Sequence, residues 1–137
     1  MTRIRWRRRA LILAVVAGAA VGCGDDRDLS PIPALRALRF ETTTVAVGTT
    51  PQLAGSFSYL DGDADVSSLF IEVTTPTAQA QTVGPSPAEN VAGHRSGTLA
   101  FTFTLNAGAA GAYALAVWVV DALGNESNHL AATITAQ

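Results

Sequence analysis

The chain has 137 residues, of which 48% are apolar and 15% charged, enough for one domain and too few for two of ordinary size. Its six prolines exclude a coiled coil, and the absence of a Gly-X-Y repeat excludes a collagen. All nine basic residues are arginines, and five of them lie in the first nine positions. Beyond position 22, 115 residues carry four arginines against eleven acids, a net charge of −7, which argues against a nucleic-acid partner.

Residues 1–9 form a dense positive segment, and residues 10–21 are small or apolar without a charge. A spanning helix needs about 20 such residues, whereas this length suits the core of a signal peptide. Ala20-Val21-Gly22-Cys23 follows. This segment resembles the lipobox of bacterial lipoproteins, with Ala20 standing where Leu is commonest. The resemblance implies that residues 1–22 are a signal peptide. It also implies that Cys23 is acylated on sulfur, as by palmitate, and becomes the new N-terminus. The chain would then be anchored to a membrane of the bacterial envelope and face the periplasm or the exterior. Cys23 is the only cysteine, which excludes an intrachain disulfide and a cysteine-ligated zinc cluster. Lipidation gives that single thiol a role, since stable anchoring takes more than one acyl signal. Residues 23–35 read as the lipidated Cys followed by a charged, Pro-interrupted tether.

The body, residues 36–137, alternates with period two. Residues 37–47 hold one or two edge segments around Leu38, Phe40, Val45 and Val47. Residues 52–60 put Leu53, Phe57 and Tyr59 on one face, and residues 67–74 do the same for Leu69, Ile71 and Val73. Residues 75–97 are rich in Pro, Gly, Ala and Ser, with one short strand expected near 80–83. Leu99, Phe101, Phe103 and Leu105 share a face, as do Tyr113, Leu115, Val117 and Val119, and then Leu130, Ala132, Ile134 and Ala136. Turn residues such as Asp61-Gly62-Asp63 and Leu123-Gly124-Asn125 separate these runs. About seven strands in some 100 residues predict an all-β, two-sheet antiparallel sandwich.

Gly111-Ala112-Tyr113 leads an alternating apolar run into Asp121-Ala122-Leu123-Gly124-Asn125. This segment resembles the last hairpin of immunoglobulin-like and fibronectin-type-III-like bacterial modules. Phe57–Asp65 is similar to their second strand and its acidic loop. The resemblance implies an immunoglobulin-like sandwich in which the Tyr113 hydroxyl bonds to nearby backbone, as in a tyrosine corner.

Two constellations stand out. Asp61, Asp63 and Asp65 alternate in one loop, and the sandwich topology brings Asp121 and Asn125 to the same end, with Glu126 and Asn128 close by. Calcium takes six to eight oxygens, so these residues are a candidate Ca²⁺ site. The competing reading has each Asp and Asn capping its own turn. An EF-hand is rejected, because Val66 stands where that loop needs Gly. Trp118, Val120 and Phe70 point away from the core rows, and the three together are a candidate apolar partner surface. His94 and His129 have no motif around them, and no nucleophile elbow or phosphate loop occurs. The reading that follows is a non-enzymatic, membrane-anchored envelope lipoprotein presenting a binding or structural module to an unidentified protein or glycan. The alternatives are a carbohydrate-binding or accessory module of an envelope enzyme system, and a calcium-stabilised adhesion module.

Overall fold

The computed structural model describes residues 30–137. Residues 1–29, on which the expected signal peptide, Cys23 and part of the expected tether fall, lie outside the described residues. The strands are β1 (Ala34–Phe40), β2 (Thr44–Val45), β3 (Gln52–Leu60), β4 (Val66–Thr74), β5 (Ala80–Pro87), β6 (Ser96–Thr104), β7 (Gly111–Asp121) and β8 (Leu130–Ala136). They form two sheets, ordered β1-β3-β6 and β2-β8-β7-β4-β5. Every pairing is antiparallel except the two-residue contact of β2 with β8. This is the expected immunoglobulin-like sandwich.

The alternating rows become the core. Leu53, Phe57 and Tyr59 of β3 and Leu99, Phe101 and Phe103 of β6 face Leu69, Ile71 and Val73 of β4 and Tyr113, Leu115, Val117 and Val119 of β7, all buried. Each large apolar side chain removed from water in this way stabilises by about 1.5–3 kcal/mol. Tyr113 is buried in full, and its hydroxyl donates to the Ala109 carbonyl at 2.9 Å while accepting from the Ala109 N–H at 3.0 Å. A buried phenol thus keeps its hydrogen bonds, as the resemblance implied.

One row of the three-stranded sheet is built around a missing side chain. Phe40, Gly55 and Phe101 stand opposite one another on β1, β3 and β6. A Cβ at Gly55 would lie 2.6 Å from Cζ of Phe101 and 2.9 Å from Cε1 of Phe40. The two rings instead close over the glycine edge to face, with centroids 5.7 Å apart, a favoured aromatic geometry.

The stretch 75–97 departs from its reading as mostly loop. β5 runs through Ala80–Pro87, and β6 begins at Ser96. Pro85 and Pro87 cannot donate, but β5 is bonded only to β4, and an edge strand tolerates proline where the missing N–H would face solvent. The ladder accommodates them with a register shift between Leu69 and Ile71. At the other end of the domain, β1 begins at Ala34 and Pro33 is already buried, so ordered packing starts before residue 36.

Candidate functional site

The chain enters at one pole of the sandwich, where the Ser30 carbonyl accepts from Gly62 N–H at 2.9 Å. The loops 61–65 and 121–125 meet there, since Ala122 N–H donates to the Asp65 carbonyl at 2.9 Å. The structure therefore brings together the acids that the sequence placed at one end. It also shows what their oxygens do. Asp61 is 0% exposed. One of its oxygens accepts from Asp65 N–H at 2.8 Å and Val66 N–H at 3.0 Å, the other from Asp63 N–H at 3.3 Å. Asp121 is 3% exposed and caps its own turn in the same manner. It accepts from Leu123 N–H at 2.9 Å, Asn125 N–H at 2.7 Å and the Asn125 carboxamide at 2.7 Å. Both carboxylates do the work of an Asx turn. Asp63 is exposed. Asn128 and Glu126 turn elsewhere: the Asn128 carboxamide pairs with both backbone groups of Leu35, and Glu126 bonds His129. Among the described residues, no group of three or more His, Cys, Asp or Glu side chains is arranged to hold a metal ion.

Asp65 is the uneasy member of this pole. One of its oxygens is buried without a hydrogen-bond partner. Loss of solvent, then the negative charges of Asp121 and Asp61, hold its carboxyl above the ordinary value. Asp121 sits below its ordinary value: burial works to raise it and is outweighed by the hydrogen bonds from Asn125, Leu123 and Gly124. The folded domain therefore keeps the Asp65 proton to a higher pH than the unfolded chain does. Stability from this group is complete below the unfolded value and is lost as pH rises through the folded one. Asp65→Asn is expected to melt at a higher temperature than the wild type at pH 7. The advantage should shrink as pH falls through the raised folded value toward the ordinary one, and be gone below it, where both proteins are uncharged at this position. Melting curves of the pair from pH 3 to 7 check it.

The second constellation lies on the outer face of the five-stranded sheet. Phe70 and Trp118 are directly paired across β4 and β7, and both are half-buried, as is Val120. Their rings stack nearly parallel, 7° apart, with centroids at 5.5 Å. His129 stacks on the indole as well, at 4.4 Å and 11°, and its Nε2 lies 2.5 Å from Oε1 of Glu126. The sequence placed Phe70 and Trp118 on one face but missed His129, whose loop position carries no periodicity. Its one sequence-level signal is that it directly precedes the last strand. The stack covers the indole from two sides, so the rings stand as a ladder rather than as an open platform on which a sugar ring could lie.

No family model matches the sequence, and no curated protein matches it. Among solved structures, the chain is similar to Spo0M, a sporulation control protein from Bacillus subtilis. The TM-score is 0.53 at 10% identity, covering 77% of this chain and 49% of that one. It is also similar to a Niemann-Pick type C2 protein from the Japanese carpenter ant, with a TM-score of 0.53 at 7% identity over 77% and 93% of the two chains. The PKD domain of an M14-like peptidase from a Thermoplasmatales archaeon gives 0.49 at 19% identity, over 77% and 92%. The chain spans about half of the Spo0M chain. At these identities the likeness concerns the fold alone.

Proposed function

We propose that this protein is a lipid-anchored module of the bacterial envelope that acts by presenting its surface, as a non-enzymatic binding or structural unit. One observation carries the reading: the polar side chains that a site would use are engaged in holding the fold together. Asp61 and Asp121 cap loops, Asn128 pairs with β1, Ser127 bonds Val119 N–H, and the Tyr113 hydroxyl bonds Ala109. The apolar faces left open to solvent are what remains for partners. The anchor rests on the lipobox resemblance around Cys23. It also agrees with the entry of the chain beside Gly62 at one pole, which leaves the opposite pole free to project outward.

The mature protein is expected to partition into detergent, with the acyl chains on Cys23. Cys23→Ala should shift most of it to the aqueous phase or leave it unprocessed. Phase separation followed by mass spectrometry of the N-terminal peptide checks this. A free thiol at Cys23, or cleavage well beyond it, would overturn the anchor.

A further inference from the structure

The two sheets have unequal widths. β1 packs against β8, so, counting across the sheet orders, β3 lies over β7 and β6 over β4. β5 is left with no strand above it. Its inward positions confirm the gap. Gln81, Val83 and Ser86 pair with the buried Val73, Ile71 and Leu69 and so face the same way, yet Gln81 is exposed and the other two are only half-buried. Two cavities, of about 750 and 500 Å³, lie along this seam. The first runs from Ser86, Pro87 and Glu89 past Leu99 and Phe101 to Arg39 and Glu41 beside β1, and the second between Thr104 and Leu105 and the pair Gln81 and Val83.

The wall of the seam is an unused strand edge. Leu105 N–H donates to Pro51 and the Arg95 carbonyl accepts from Asp61, both in the register that pairs Leu53 with Phe103 and Tyr59 with Gly97. Hydrogen-bonded pairs alternate in an antiparallel ladder. The N–H and C=O groups of Thr98, Ala100 and Thr102 therefore point away from β3, into the seam. β6 is 9 residues long with an unbroken register, and neither β5 nor β6 contains a charged residue. Natural edges are usually blunted by charge, proline or a bulge. β5 has two prolines and a register shift, while β6 has none of these devices.

We propose that the seam is a docking site for one extended polypeptide segment from a partner protein, which adds to β6 as a fourth strand and covers β5. The inference rests on the binding-module reading above and names the kind of partner. The vacancy is one strand wide, and this decides between occupants. A second copy pairing β6 to β6 would bring its own β4 beneath its β6, into the space β5 already fills, so a whole sandwich is excluded and a free strand is admitted. Main-chain hydrogen bonds would supply affinity and alternate side chains the specificity. Inward residues of the incoming strand should be apolar to meet Val83. Outward ones should be small or hydroxylated to lie beside Thr98, Ala100 and Thr102. The charged groups that line the two cavities, Arg39, Glu41 and Glu89, all belong to the first, so charge on the incoming strand is disfavoured along the second.

The test uses the mature full chain in detergent micelles. The probe is a peptide of alternating threonine and valine, about as long as β6, N-methylated on every second residue so that only one of its edges can pair. Amide hydrogen exchange should slow about tenfold or more at Thr98, Ala100 and Thr102 when the peptide is present. Ala100→Pro removes an N–H that the fold does not use, at a position where an edge strand tolerates proline. It should retain the melting transition and lose binding at least about tenfold. If that variant does not fold, Val83→Lys, at a half-buried site, carries the same expectation. Lack of protection at saturating peptide would overturn the proposal, as would equal binding by the folded variants. Protection elicited instead by a neutral oligosaccharide such as cellohexaose would reassign the seam to glycans and also overturn it. Detergent partitioning of the same sample reports the anchor separately, so failure of the seam and failure of the envelope reading give different results.

Discussion

Phe101→Ala is expected to lower stability by about 3–5 kcal/mol, the usual cost of deleting a buried aromatic ring. Phe101 is 8% exposed and touches two rings, Phe40 edge to face and Phe57 at a centroid distance of 5.8 Å. It also roofs Gly55, which has no side chain with which to fill the space left behind. Collapse around the cavity is therefore poor, and the upper part of the range applies. Single domains are stable by about 5–15 kcal/mol, so the variant should unfold at a much lower urea concentration with an unchanged slope. A midpoint near that of the wild type would mean that the Phe40-Gly55-Phe101 row does not carry the load assigned to it.

Asp61→Ala is expected to cost roughly 3 kcal/mol, because hydrogen bonds to a charged acceptor are worth about 1.5–3 kcal/mol and buried donors left unpaired cost about 1–3 kcal/mol each. The carboxylate gathers the N–H groups of Asp63, Asp65 and Val66, and no other side chain bonds them. Asp61→Asn keeps one acceptor oxygen and should lose distinctly less. The ordering wild type, Asn, Ala in urea midpoints checks the capping role. The loop should loosen with the fold, so exchange at Val66 N–H should accelerate in the same order.

Much of the fold was legible because period-two alternation is a direct image of a half-buried sheet. Phe101 and Phe103, or Leu115, Val117 and Val119, could hardly be arranged otherwise. What escaped had local reasons. β5 is spelled with Gly84, Pro85 and Pro87, residues that argue for a loop wherever the strand's position in the sheet is unknown. β1 carries a bulge between Arg36 and Arg39, with Ala37 at φ 58°, which breaks the alternation midway. The site was half legible. The topology predicted that loops 61–65 and 121–125 meet, and they do. Whether clustered aspartates face a cation or their own backbone is not written in composition, because the same oxygens serve either purpose. The decision lies in loop geometry, where Asp61 turns inward under three N–H groups. His129 was illegible for a related reason: no periodicity orients a loop residue, so its stacking on Trp118 emerges only from the folded chain.

The clasp between Asn128 and Leu35 has a mechanical meaning. β1 starts at the pole where Ser30 meets Gly62, and β8 runs to the opposite pole, where Gln137 N–H bonds Val45. Tension applied between these poles would drag β1 lengthwise along β3. Its ladder bonds lie across that direction, so they resist in parallel as a shear joint rather than opening one by one as a zip. The Asn128 carboxamide, holding both the N–H and the C=O of Leu35 at 2.6 and 2.9 Å, acts as a rivet at the loaded end and ties the small sheet to the large one. A domain tethered at this pole would bear a pull on its far end stiffly up to a yield force, and Asn128→Ala should lower that force before it lowers much else.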